Sequence, residues 1–392
     1  MDRQGGTAMG DFDDELTVEV DDEGIAYGVE AEPLPTITVP FNPADIKVHT
    51  EQKPVDPLLR KIKRQELDLQ PDFQRAAGIW DTTRQSRLIE SLLLKIPIPT
   101  FYMAEVRGGG LAVVDGVQRL TTIVRFVHPD YIGADPLKLS GLQYLHEHNG
   151  KTFGELPERL QDQILEAQLT VNLILQGTPE EVMFEIFTRI NTGGQPLSAQ
   201  ELRHALIPGQ SRELLKKLAS SRAFLDATLR TVNTLRMADR EMVLRFLAFR
   251  ITDPNDYKSD DLDAFLRLAM RKVNKLSRFE VERLSVEFNR SMNAASAIFG
   301  EHAFRKLFRD QIRRLPINKA IFEATAVSLA ELGDDELNRL IELRFEVQER
   351  YIELMDDTEF FQAISVGIGD VARVHRRFNA MYYMLREVAY SA

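Results

Sequence analysis

Between Val113 and Phe126 the chain runs Val-Val-Asp-Gly-Val-Gln-Arg-Leu-Thr-Thr-Ile-Val-Arg-Phe, which predicts a short apolar strand turning at Asp115-Gly116 into an amphipathic helix. Leu120, Ile123, Val124 and Val127 fall at i, i+3, i+4 and i+7 and form a core-facing stripe, whereas Gln118, Arg119, Thr122 and Arg125 fall off it. The polar groups gather at the helix N-terminus. Free backbone N–H groups and the positive end of the helix dipole suit that place to a phosphate.

The flanking pattern supplies further elements. Pro-rich punctuation from Pro33 to Pro57 precedes a short basic amphipathic helix, Leu58 to Arg64, and Leu67 to Arg75 reads as extended. Thr83 to Leu94 has helical spacing and stops at Ile96-Pro97-Ile98-Pro99, where alternate prolines force an extended run into Thr100 to Met103. The Gly108-Gly109-Gly110 turn joins that run to the strand beginning at Leu111 as a hairpin. Leu137 to Leu156 is irregular, Leu156 to Gln168 helical, and Leu169 to Leu175 a further strand. Thr178-Pro179-Glu180-Glu181 opens a helix that ends at Asn191-Thr192-Gly193-Gly194, and Ser198-Ala199-Gln200-Glu201 is a capping box opening another through Leu206. From Ser211 onward the periodicity is helical, with breaks near Asp253-Pro254, Pro316 and Gly333.

This predicts an α+β chain in three parts: an acidic, disordered arm over 1–35, a mixed α/β domain over 36–210, and an all-helical domain over 211–392. A hydrophobic content of 44% supplies real cores for both domains. No run of about 20 apolar residues suggests a membrane span, and the acidic N-terminus lacks a secretory pattern. Cysteine is absent, which removes disulfides, thiol nucleophiles and thiolate metal sites. The expectation is a soluble, cytoplasmic protein with no membrane partner.

The net charge of -11 looks unfavourable for nucleic acid until it is located. Residues 1 to 35 hold eleven acidic residues against Arg3 alone, so the rest of the chain is close to neutral and can carry a local basic cleft. The arm is either a solvated tail or a competitor for such a cleft.

Three segments combine Arg with an amide or a carboxylate at an element boundary. They are Asp72-Phe73-Gln74-Arg75, Asp115-Gly116-Val117-Gln118-Arg119, and Arg189-Ile190-Asn191-Thr192-Gly193-Gly194 followed by Glu201 and Arg203. Each alone reads equally as a cap or a surface ion pair, but together they are what a phosphate or nucleotide cleft needs. The seven histidines are scattered, and His146-Glu147-His148-Asn149 lacks the i, i+4 spacing of a zinc-protease helix, so it reads as a polar loop.

Taken in order, Pro71 to Arg75, Trp80, Leu88 to Leu93 with Ile96 to Pro99, Asp115 to Thr122, and Phe187 to Gly194 with Leu197-Ser198 and Glu201 to Arg203 form an ordered set. That set, over roughly residues 55 to 210, resembles the domain of unknown function 262. This is the ParB/sulfiredoxin-like domain of GmrSD-type modification-dependent restriction systems. The resemblance implies a ParB/sulfiredoxin-like fold and a nucleotide-handling, NTP-hydrolysing role in anti-phage defence directed at DNA. Asp115, Gly116, Gln118 and Arg119 match the family's Asp-Gly-Gln-Gln-Arg motif, and Gln74, Arg75, Arg189 and Asn191 match flanking motifs. Val117 replaces the first Gln and removes one amide from the site. No His-Asn-His nuclease motif stands out, which fits a stand-alone member with a separate nuclease subunit.

The expected site places Asp115, Gln118 and Arg119 as catalytic residues. Gln74, Arg75, Gly116, Thr122, Arg189, Asn191 and Gly194 would bind the nucleotide triphosphate, with Mg2+ held by Asp115 and Asn191. Two other readings use the same cleft: a non-catalytic DNA- or partner-binding module, and a metal-dependent DNA nuclease.

Overall fold

The computed structural model describes residues 28–30, 46–69, 80–106, 109–179, 182–184, 186, 198–234, 236–309, 311 and 313–391. Gln74, Arg75, Arg189, Asn191, Gly194 and all of the acidic arm except 28–30 lie outside the described residues.

The first half is built on a five-stranded mixed sheet. Its strands are β1 (Val48–Pro54), β2 (Leu67–Asp68), β3 (Phe101–Glu105), β4 (Leu111–Asp115) and β5 (Gln168–Ile174), in the order β1-β5-β3-β4-β2. The predicted hairpin is present: β3 and β4 are antiparallel, with a register shift between Tyr102 and Met103. β5 runs parallel to β3 and antiparallel to β1, and β2 runs parallel to β4.

Period-two alternation gives the sheet two buried faces. Phe101, Met103, Leu111, Val113, Leu169 and Val171 share one core with four helices. These are α1 (Val55–Lys63), α2 (Thr82–Leu93), α3 (Val117–Val127) and α4 (Glu158–Glu166). On the opposite face Ala104, Val114 and Ile174 pack with Phe184 and with Leu202 of α5 (Ala199–Leu206). Prolines 97 and 99 therefore do as their covalent geometry dictates, ending α2 before β3 begins.

Between α3 and α4 the chain is irregular apart from short 3-10 turns, as its pattern predicts. One buried carboxylate gathers three of its backbone N–H groups. Glu90 of α2 is buried and accepts the backbone N–H groups of Gln143, Tyr144 and Leu145 at 2.7–2.9 Å. Burial would raise its pKa, but those three donors hold the carboxyl below its ordinary range.

The capping box at Ser198 forms as read, with the Ser198 hydroxyl on the Glu201 N–H and the Glu201 carboxylate on the Ser198 N–H. Beyond it the described residues form the helices α6 (Gln210–Ala219), α7 (Arg222–Ala227), α8 (Ala238–Ile251), α9 (Leu262–Val273), α10 (Arg278–Phe299), α11 (Lys319–Glu331), α12 (Asp334–Glu342), α13 (Arg344–Asp356), α14 (Thr358–Ser365) and α15 (Val371–Tyr390). Ala320 to Ala330 of α11 are all buried, so this helix is the centre of the bundle and needs no polar face.

The one carboxylate in that buried run is Glu323, which is fully buried. Arg377 of α15 donates Nε to it at 2.9 Å, and Arg245 of α8 lies 3.4 Å away. Next to them Glu241 takes Arg245 and Lys319 at 3.0 Å and Arg203 at 3.4 Å. Burial works against the Glu241 charge, but Lys319, Arg245 and Arg203 hold its carboxyl well below the usual range. Arg203 also meets Asp263, so α5, α8, α9, α11 and α15 are joined through charge.

Two further contacts tie the halves together. Arg212 of α6 pairs with Asp68 of β2 at 2.6 Å, and Met237, just before α8, packs in the core under the sheet. The short piece 28–30 belongs to the bundle. Glu30 N–H donates to Ile317 O at 2.8 Å and Ile317 N–H donates to Gly28 O at 3.1 Å, making a parallel bridge. The Glu30 carboxylate accepts from Asn318 at 2.7 Å and pairs with Lys306 at 3.3 Å.

Candidate functional site

β4 ends at Asp115, and Gly116 makes the turn with φ +93°, a left-handed conformation that a side chain strains. The space around Gly116 is also closed. A Cβ there would run into the Phe101 ring, lying 2.9 Å from Cε1 with a second ring carbon nearer still. The turn is thus fixed twice, by φ and by the aromatic ring beneath it. α3 starts at once at Val117, so its first-turn N–H groups, which have no partner within the helix, sit at the end of β4.

Leu120, Ile123, Val124 and Val127 are buried as the pattern predicts. Two positions read as lying off the stripe are buried as well: Arg119 is 8% exposed and Thr122 is 2% exposed. The reason is that α3 packs against α2 as well as on the sheet, so its polar positions find partners inside the domain. The Thr122 hydroxyl donates to Gln118 O at 2.7 Å. Arg125 donates to the Gln85 side chain of α2 at 3.0 Å.

Arg119 is the centre of the arrangement. Its Nη2 donates to the Asp115 carboxylate at 2.7 Å and to Thr100 O at 3.2 Å, and its Nη1 donates to Pro99 O. The guanidinium carbon stands 4.6 Å over the Phe101 ring. Burial lowers the pKa of Arg119, while Asp115 beside it pulls it back up, which leaves an ion pair at the turn. The guanidinium therefore clamps the end of β4 to the start of β3. The outer face of that clamp is the carboxylate, since the Asp115 side chain keeps about a third of its surface in water.

Of the expected site residues, Asp115, Gly116, Gln118, Arg119 and Thr122 come together at this turn. Gln118 is half-buried in the first turn of α3, and Thr122 lies one turn deeper with its hydroxyl directed at its own helix. Val117, where the motif has an amide, is 6% exposed and belongs to the hydrophobic core, so its side chain does not face the mouth of the turn.

Magnesium was expected on Asp115 and Asn191. Among the described residues no group of three or more His, Cys, Asp or Glu side chains is placed to hold a metal ion. The one carboxylate at the turn is already balanced by Arg119. Asn191, the other expected ligand, lies outside the described residues.

The charged groups that the sequence pattern conceals are those buried in helices. Glu90, Arg245 and Glu323 sit at positions flanked by apolar neighbours, and the only signal for them is a charge falling where the helical period wants a core residue.

Residues 55–208 match the family model of the GmrSD restriction endonuclease N-terminal domain. The match makes this segment similar to the N-terminal domain of the GmrSD restriction endonuclease and spans less than half of the chain. Neither the curated proteins nor the solved structures gave a match. No helix among the described residues is long and apolar enough to cross a membrane.

Proposed function

We propose that the chain acts in a restriction-like defence system against foreign DNA, and that its α/β domain binds a nucleotide triphosphate at the β4–α3 turn. The defence role rests on the family match of residues 55–208. The binding role rests on one observation: Arg119 neutralises Asp115 at the very point where α3 presents its first-turn N–H groups. Without that pair a carboxylate would repel phosphate from the helix N-terminus. With it, the dipole and the N–H groups act on the ligand unopposed. Gln118 stands in the same first turn and supplies an amide to position a phosphate oxygen.

Binding is favoured over hydrolysis. Phosphoryl transfer needs cationic groups on the transferred phosphate, and the guanidinium of Arg119 is engaged with Asp115, Pro99 and Thr100 instead. The same observation supports a second reading, in which this domain is a non-catalytic module binding DNA or a partner and a separate nuclease subunit cuts. Steep salt dependence of DNA binding with no nucleotide turnover selects that reading.

The test is equilibrium binding and turnover of nucleoside triphosphates by the wild type and Gln118→Ala. The expected result is saturable binding that weakens at least ~10-fold in the variant, the scale of losing one good hydrogen-bond partner, with an unchanged melting temperature. No binding by the wild type, or equal binding by both proteins, overturns the proposal.

A further inference from the structure

We propose that the helical body binds an alkylguanidinium cation in a cavity between α11, α15 and the 3-10 turn Pro254–Asp256. The cavity has a volume of about 160 Å3 and is partly open to solvent. A cavity of about 150 Å3 holds a benzene-sized group, so this one has room for a small head group and none for a whole nucleotide. Its lining combines three kinds of chemistry: the rings of Tyr382 and Tyr383, the carboxylates of Asp253 and Glu331, and the neutral polar groups of Ser328 and Asn379.

Ser328 carries the argument that something polar belongs there. The residue is only 2% exposed, yet its hydroxyl makes no hydrogen bond among the described residues, and neither does the half-buried Asn379 amide. A serine within a helix commonly turns its hydroxyl back on its own backbone, as Ser285 does on Val281 O at 2.8 Å. Ser328 leaves its hydroxyl to the cavity it lines instead. A buried hydroxyl without a partner is costly, and a hydrogen-bonding ligand in the cavity removes that cost.

The charge of the lining selects a cation. Among the described residues that line the cavity no side chain is cationic. Asp253 uses one oxygen to cap the turn, accepting the Asn255 N–H at 2.8 Å, which leaves the second. Glu331 keeps about a third of its side chain in water and has Arg250 at 3.6 Å, but Arg250 makes its closer contacts with Glu287, at 2.9 and 3.1 Å. Burial pushes the Glu331 carboxyl above its ordinary range, with Arg250 opposing and Asp253 adding to the rise, so the described residues leave this corner short of positive charge. A phosphate-bearing ligand meets two carboxylates here and is repelled. A guanidinium meets acceptors for its several N–H donors and rings on which its plane can stack. Tyr382 already takes one: Arg386 stands 5.5 Å over its ring and 5.2 Å over that of Tyr390. The guanidinium is either that of a free small molecule or an arginine side chain of a protein partner. The site lies on the helical body and shares no residue with the β4–α3 turn.

The experiment titrates the full chain, at constant ionic strength, with propylguanidinium, its uncharged isostere propylurea, and the capped peptide Gly-Gly-Arg-Gly-Gly, read by ligand-observed NMR. Propylguanidinium should bind saturably, and propylurea at least ~10-fold more weakly, the scale of losing a charged hydrogen-bond partner. Glu331→Gln keeps the volume and removes the charge, and should weaken propylguanidinium by about 10-fold. Tyr383→Ala changes a side chain on a residue that is 60% exposed, so it serves should Glu331→Gln fail to fold, and it should weaken binding by about 2–5-fold. A peptide that binds at least ~10-fold more tightly than propylguanidinium assigns the site to an arginine of a partner, and one that binds equally or more weakly assigns it to a free guanidinium compound. A wild type that binds neither propylguanidinium nor the peptide, propylurea binding as tightly as propylguanidinium, or unchanged affinity in either folded variant overturns the proposal.

Discussion

Replacing Arg119 by alanine separates two roles that a motif alone leaves entangled, a clamp within the fold and a fork on the ligand. The structure gives the guanidinium three oxygen partners and a ring: Asp115, Thr100 O, Pro99 O and Phe101. A hydrogen bond from a charged donor contributes about 1.5–3 kcal/mol, but Pro99 lies at the surface and its carbonyl regains water in the variant. The ion pair with a partly exposed Asp115 adds no more than ~1 kcal/mol. The stacked ring adds about 0.5–1 kcal/mol. Together these place the loss at about 2–4 kcal/mol, the lower half of the range being set by rehydration. Urea unfolding followed by far-UV circular dichroism reads it directly, as a lower midpoint at constant slope. A ligand fork behaves in the opposite way, leaving stability nearly untouched while nucleotide affinity falls. A loss under ~1 kcal/mol with affinity reduced more than about 10-fold would refute the clamp and return Arg119 to the phosphate.

Three further changes probe other parts of the argument. Gly116→Ala places a Cβ against Phe101 at positive φ, and its expected cost is about 2–4 kcal/mol from strain and clash together; a variant as stable as the wild type would show that the turn relaxes freely. Glu323→Gln leaves the buried Arg377 without its counter-charge and should destabilise by roughly 3–5 kcal/mol in chemical unfolding, with a value below ~1 kcal/mol contradicting the role given to that carboxylate. Glu90→Gln should cost about 1–3 kcal/mol near neutral pH. Because the folded pKa of Glu90 is lowered, its contribution is full above the ordinary glutamate range and is lost as the pH falls from that range through the lowered folded value. Unfolding midpoints measured from neutral to acid pH should converge for the two proteins, and a gap independent of pH would count against it.

Much of this fold is legible in the chain because its signals are local. The prolines after α2, the Gly turn between β3 and β4, and the capping box at Ser198 each specify a boundary through covalent geometry or one hydrogen bond. The helical period placed the inner stripe of α3 correctly. It could not show that Arg119 and Thr122 are also inside, because that depends on α2 and the sheet closing around the helix, and the carbonyl partners of Arg119 are 19 and 20 residues away. The same holds for Glu323 and Arg377, which are 54 residues apart. A charge in an apolar run marks itself as unusual, but the sequence does not name its counter-charge. The expected contributions of Gln74, Arg75, Arg189, Asn191 and Gly194 fall outside the described residues, so the turn stands on Asp115, Gly116, Gln118 and Arg119.

The bridge between Gly28–Glu30 and Ile317 gives the molecule a history as well as a shape. Glu30 and its partner Asn318 are separated by 288 residues. A ribosome adding about 5–20 residues per second reaches Asn318 roughly 15–60 s after making Glu30. Throughout that interval the segment is synthesised and unpaired while the sheet domain, complete by about residue 208, is free to fold. Gly28–Glu30 are thus placed only after Ile317 and Asn318 have been made, and the bundle cannot close over Glu30 before then.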